Sequence, residues 1–131
     1  MASEVVEICS GRRWAADRDF TNQQWVVGPL ATVNQPIFHP DEKARLGMLH
    51  GAVAIDMETA AVAAAACQAQ IPWMALRVIL DPMEVPLTVS SLNQGLRCLT
   101  NPFRWEELKQ FMGAVRIARE SLSDGLRSLL I

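Results

Sequence analysis

The sequence predicts an α/β domain: a small, partly parallel sheet flanked by helices, with a long helix at its C-terminal end. Three observations predict it. Two apolar runs, residues 52–55 and 73–80, are of strand length and end in carboxylates, Asp56 and Asp81. A helix-length segment rich in alanine separates them, and strand–helix–strand is the order of a parallel βαβ unit. Near the C-terminus, Leu108, Phe111, Met112, Val115, Ala118, Leu122, Leu126 and Leu129 recur close to helical spacing.

The elements follow in chain order. Residues 2–11 cluster Val5, Val6, Ile8 and Cys9 on one side of a helix, so a short helix is expected there, with a polar loop over 11–24. Residues 25–33 read as a strand that Gly28-Pro29 bends or bulges. His39-Pro40-Asp41-Glu42 starts a helix, with proline early and acids where they complement the helix dipole; Gly51 ends it.

Residues 52–55 form a buried strand. Asp56 stands at the N-cap of a helix over 57–69, with Glu58 in its first turn. Ala60, Ala61, Ala63, Ala64, Ala65 and Ala66 let that helix lie close against a neighbour. Residues 73–80 are almost continuously apolar, the pattern of a strand covered on both faces, and Asp81-Pro82 stops it. A helix is expected over 90–99, broken by Asn101-Pro102, and the last helix runs over 104–130. No repeat or second domain is evident, so residues 1–131 are read as one domain.

Composition narrows the class without naming an activity. Half of the 131 residues are hydrophobic and a fifth are charged, an ordinary globular balance. A net charge of -2 offers no basic footprint for nucleic acid. Cys9, Cys67 and Cys98 are odd in number and widely spaced. They read as buried or neutral thiols of a reducing compartment, with neither a disulfide framework nor a zinc site. No signal peptide and no membrane-length apolar run is seen, and a cytoplasmic location is the expectation.

Open α/β sheets bind ligands just outside the carboxyl ends of their strands, which makes Asp56, Glu58 and Asp81 a candidate site. Each also has an ordinary structural reading. Asp56 is most simply a helix cap, Glu58 a first-turn partner of the helix dipole, and Asp81 before proline a turn residue. Met57 alone is core filler. His39 and His50 lack ligand spacing, and Trp14, Trp25, Trp73 and Trp105 are too scattered for a stacking platform.

Together the two motifs carry a resemblance. Ile55-Asp56-Met57-Glu58-Thr59-Ala60-Ala61 and Arg77-Val78-Ile79-Leu80-Asp81 resemble, in order and separation, the paired motifs of the purine and uridine phosphorylase superfamily. That superfamily includes the methylthioadenosine and adenosylhomocysteine nucleosidases. Leu80 stands where serine is usual. The pattern around Asn101-Pro102-Phe103 is closer to the hopanoid-biosynthesis-associated branch. The resemblance covers roughly residues 25–130, and corresponds to about the C-terminal half of a complete family member.

The resemblance implies a partial three-layer fold of the nucleoside phosphorylase kind and cleavage of a purine nucleoside's N-glycosidic bond. Met57 would pack beneath the ribose. Glu58 would accept hydrogen bonds from ribose hydroxyls, its charge favouring the developing oxocarbenium ion. Asp81 would donate or relay a proton to the base, a role needing a carboxyl whose pKa burial raises. Phe38 is the expected ribose-contacting aromatic. No cofactor and no metal is implied.

The family's glycine-containing phosphate loop, its phosphate-binding arginines and its water-activating acid belong to the half that the resemblance does not cover, and Gly11-Arg12-Arg13 is too weak to replace the loop. A homo-oligomer or a companion N-terminal chain is therefore expected to complete the site and to cover exposed sheet edges. A catalytically inactive module that binds nucleoside or oligomerises is the alternative, as is one half of a split enzyme.

Overall fold

A computed structural model describes residues 1–17, 25–80, 82–83 and 105–129, which fall into two compact units, residues 1–77 and 78–131. The first unit holds strands β1 (Ala2–Glu7), β2 (Arg13–Ala15), β3 (Gly28–Thr32) and β4 (Ala54–Asp56), with helices α1 (Pro40–His50) and α2 (Thr59–Gln68). The second holds the long helix α3 (Trp105–Leu129). The fold is α/β, as the sequence predicts.

The four strands form one mixed sheet in the order β2-β1-β3-β4. β1, β3 and β4 run parallel, and β2 is the antiparallel edge. The parallel strands therefore share one carboxyl edge, marked by the registers Glu7↔Thr32 and Thr32↔Asp56.

β1 corrects the expected helix over 2–11. Val5 and Val6 are adjacent and both fully buried, so this strand is covered on both faces. Its pairing with two neighbours outweighs a local apolar clustering that a helix would also satisfy. β2 corrects the expected loop over 11–24: Trp14 pairs with Val5, and Arg13 Nη1 lies 2.6 Å from Glu4 Oε1.

β3 begins at Gly28, where an added Cβ would stand 2.6 Å from Val53 Cγ1. The β1–β3 ladder shifts register between Ala2 and Val5, beside Pro29, which has no amide hydrogen to donate. The expected irregularity at Gly-Pro is thus present.

α1 has Pro40 at its start, Asp41 and Glu42 in its first turn, and a left-handed Gly51 (φ 66°) at its end. It packs on β3 and β4, while α2 packs on β1 and β2. Ala60 and Ala63 of α2 are fully buried in one cluster with Ala2, Val5, Leu30 and Trp73. Val6 and Ala31, of opposite parity on their strands, are buried on the other face.

The run over 73–80 departs from expectation. Among the described residues it forms no ladder with the sheet. Its bonds are individual ones: the Ala2 amide donates to Ala75 O at 2.9 Å, and the Asp17 amide to Trp73 O at 3.1 Å. The first strand–helix–strand unit that closes in the sheet is therefore β3–α1–β4. The expected helix over 90–99 lies outside the described residues.

α3 matches the predicted last helix to within a residue at each end. Phe111, Ala118 and Leu129 are half-buried, while Met112, Leu122 and Leu126 are exposed. Among the described residues no helix is long and apolar enough to cross a membrane.

Candidate functional site

The carboxyl edge of β3 and β4 carries a hydrogen-bonded network centred on Asp56. It starts with the sheet register, which sets Thr32 beside Asp56. The Thr32 hydroxyl donates to Asp56 Oδ1 at 2.7 Å. The Thr59 amide donates to both carboxylate oxygens at 3.3 Å, and the Thr59 hydroxyl donates to Oδ2. Arg77 Nη2 lies 2.6 Å from the same Oδ2.

Thr59 joins the network twice. Besides donating to Asp56, its hydroxyl oxygen accepts from Arg77 Nη2 at 2.6 Å and from Nε at 3.1 Å. Thr32 also works twice, its oxygen accepting the Ala60 amide at 3.1 Å. Thr32 and Thr59 are both buried. No buried side-chain nitrogen or oxygen among the described residues lacks a partner.

This network is how the helix begins. The first amides of a helix have no partner inside it. Here Asp56 and Thr32 serve the amides of Thr59 and Ala60. The cap position itself belongs to Glu58, whose backbone (φ -127°, ψ -29°) is not helical and whose side chain makes no cap bond. Asp56 thus serves the helix start as expected, but from two residues before the cap. The helix start expected at residue 57 moves to Thr59.

The two acids of the Asp-Met-Glu segment end up in different environments. The Asp56 side chain is 10% exposed and fully engaged. That of Glu58 is 63% exposed, and Arg77 Nη2 lies 3.9 Å from its Oε2. Met57 and Phe38 are each about half exposed, at 48% and 49%. Asp81 lies outside the described residues.

Arg77 and Thr32 join the network although neither is among the candidate residues of the sequence. Arg77 is the first residue of its motif. Thr32 ends an apolar run, and a hydroxyl at a strand's carboxyl end is the signal that could have found it.

Elsewhere in the unit, Cys9 and Cys67 are exposed, so of the two readings, buried or neutral, burial does not hold for these thiols; Cys98 lies outside the described residues. Cys9 lies just past the end of β1, where its sulfur accepts from Asn34 Nδ2 at 2.9 Å. His39 caps α1 without a side-chain bond. Among the described residues no group of three or more His, Cys, Asp or Glu could hold a metal ion.

Comparison with known proteins adds one finding. The family model described as the phosphorylase superfamily matches residues 9–105. That span includes β2, β3, α1, β4 and α2, and the sequence of both motifs. No curated protein and no solved structure matches the chain.

Proposed function

The chain belongs to the phosphorylase superfamily, and we propose that it takes a purine nucleoside at the carboxyl edge of β3 and β4 and serves cleavage of its N-ribosyl bond. One observation carries the reading. At this edge Asp56 has both oxygens occupied, while Glu58 beside it turns an exposed carboxylate to solvent. A carboxylate with unfilled acceptor positions can take two hydroxyl donors, and ribose offers a vicinal pair.

Glu58 is assigned to the ribose hydroxyls. Its negative charge, near the sugar, favours the positive charge that the ring gains as the bond to the base lengthens. Met57 and Phe38 supply accessible apolar surface for the sugar's carbon face. Asp81 is assigned by its motif to the base, where a protonated carboxyl would hand its proton to a ring nitrogen and make the leaving group less anionic.

The acceptor, phosphate or water, is assigned to a second copy of the chain or a companion chain. An anion needs cations, and the cation described at this edge, Arg77, is already engaged by Asp56. Phosphate would be repelled by Glu58 unless further positive charge approaches.

The test is incubation of the chain with adenosine, inosine and guanosine, with and without phosphate, followed by chromatography of the bases. Release of free base that Glu58→Gln abolishes supports the enzymatic reading. Saturable binding without any release supports the non-enzymatic binding module, and neither binding nor release contradicts both.

A further inference from the structure

We propose that Thr32, on a strand outside both motifs, is the positioning residue that holds Glu58 for the ribose. The inference deepens the nucleoside reading and rests on it. Thr32 Oγ1 donates to Asp56 Oδ1 at 2.7 Å and accepts the Ala60 amide at 3.1 Å. One oxygen therefore clamps both ends of the span from residue 56 to residue 60. Met57 and Glu58 lie between those two points.

The clamp suits threonine's chemistry. A hydroxyl has one donor and two acceptor positions, so one side chain can serve a carboxylate and an amide together. The β-branched side chain also has few rotamers, which keeps the oxygen in place. β3 sits between β1 and β4, and Thr32 is 4% exposed, so the anchor belongs to the rigid sheet.

The Thr59 amide and hydroxyl also bind Asp56, and the Glu58 carbonyl accepts the Ala61 and Val62 amides, but the Glu58 side chain itself is weakly held. Glu58 has non-helical backbone, makes no side-chain cap bond, and is mostly exposed. Its carboxylate sits where the chain between residues 56 and 60 puts it. Releasing Asp56 Oδ1 and the Ala60 amide would let that span shift. Positioning errors of about 1 Å at such a site are costly to function.

Valine matches threonine in shape and lacks the hydroxyl, while serine keeps the hydroxyl without the methyl. Adenosine binding to the wild type, Thr32→Val, Thr32→Ser, Glu58→Gln and Thr32→Val/Glu58→Gln proteins, measured by titration calorimetry, forms a double-mutant cycle. Amide hydrogen exchange of the same proteins reports on the helix start without reference to ligand.

Thr32→Val, which removes both hydrogen bonds of the clamp, is expected to raise the adenosine Kd about tenfold. In the Glu58→Gln background the same change should add little. Thr32→Ser should restore most of the affinity. Exchange should quicken at Thr59 and Ala60 and not in α1.

Independent, additive losses from Thr32→Val and Glu58→Gln would overturn the inference and leave the nucleoside reading standing. So would unchanged exchange at Ala60. Absence of adenosine binding by the wild-type chain would overturn the nucleoside reading itself, and this inference with it. A variant that fails to fold is recognised by loss of exchange protection throughout β1, and Thr32→Ser then carries the comparison: full affinity supports the clamp, and a serine no better than Glu58→Gln contradicts it.

Discussion

Arg77 Nη2 stands 2.6 Å from Asp56 Oδ2, joining the end of α2's return segment to the carboxyl edge of β4. The Asp56 side chain is 10% exposed and that of Arg77 40%, so the pair is buried at one end and wet at the other. Neither a surface pair's near-zero worth nor a buried pair's large cost applies unmodified.

Arg77→Met therefore leaves Asp56 without its cation while Thr32 and Thr59 still hold it. A loss of about 2 kcal/mol is expected, between the values for exposed and buried pairs. Urea unfolding checks it. Arg77→Lys should recover only part, because an ammonium cannot place two donors on Thr59 while touching Asp56.

Helix α2 ends in a Schellman motif with the wrong residue for it. The Ile71 amide donates to Ala66 O at 2.9 Å and the Gln70 amide to Cys67 O at 3.1 Å, with Gln70 left-handed at φ 56°. Glycine adopts that conformation without a Cβ penalty. Gln70→Gly is expected to stabilise the fold by about 0.5–1 kcal/mol, read as a higher urea midpoint at unchanged slope. The mirror experiment is Gly51→Ala at φ 66°, which should cost about 1 kcal/mol.

The two exposed thiols give a quicker check. Native protein treated with a thiol reagent and mapped by peptide mass spectrometry should carry label at Cys9 and Cys67 before any denaturant is added. Label appearing at those two positions only on unfolding would contradict the exposure of both thiols.

Glu58→Gln separates stability from function. The side chain is 63% exposed and its Arg77 contact is long at 3.9 Å, so unfolding free energy should stay within about 0.5 kcal/mol of the wild type. Nucleoside binding should fall nonetheless. A large loss of stability would show that Glu58 belongs to the scaffold.

What could be read from the chain divides by range. α1, α2 and α3 were legible because their signals are local: Pro40 and Gly51 bracket the first, alanines fill the second, an apolar stripe marks the third. The Asp-Met-Glu segment was legible as a strand end followed by a helix start.

β1 was not, because Val5, Val6, Ile8 and Cys9 satisfy a helix face as well as a strand, and the choice is made by β2 and β3 pairing on either side. The run over 73–80 failed the other way: its composition is that of a buried strand, yet it meets Ala2 through one backbone bond and Asp17 through two bonds at Trp73. The Thr32–Asp56–Arg77 network was illegible for the same reason as β1. Its members are 21 or more residues apart and meet only once the sheet register is set.

A nucleoside seated at the carboxyl edge of β3 and β4 is tested most directly by an amide chemical-shift map of the labelled protein during adenosine titration. Saturable shifts centred on residues 32–38 and 56–60 are the result expected. Shifts confined to the opposite edge of the sheet or to α3, or none at all, would contradict it.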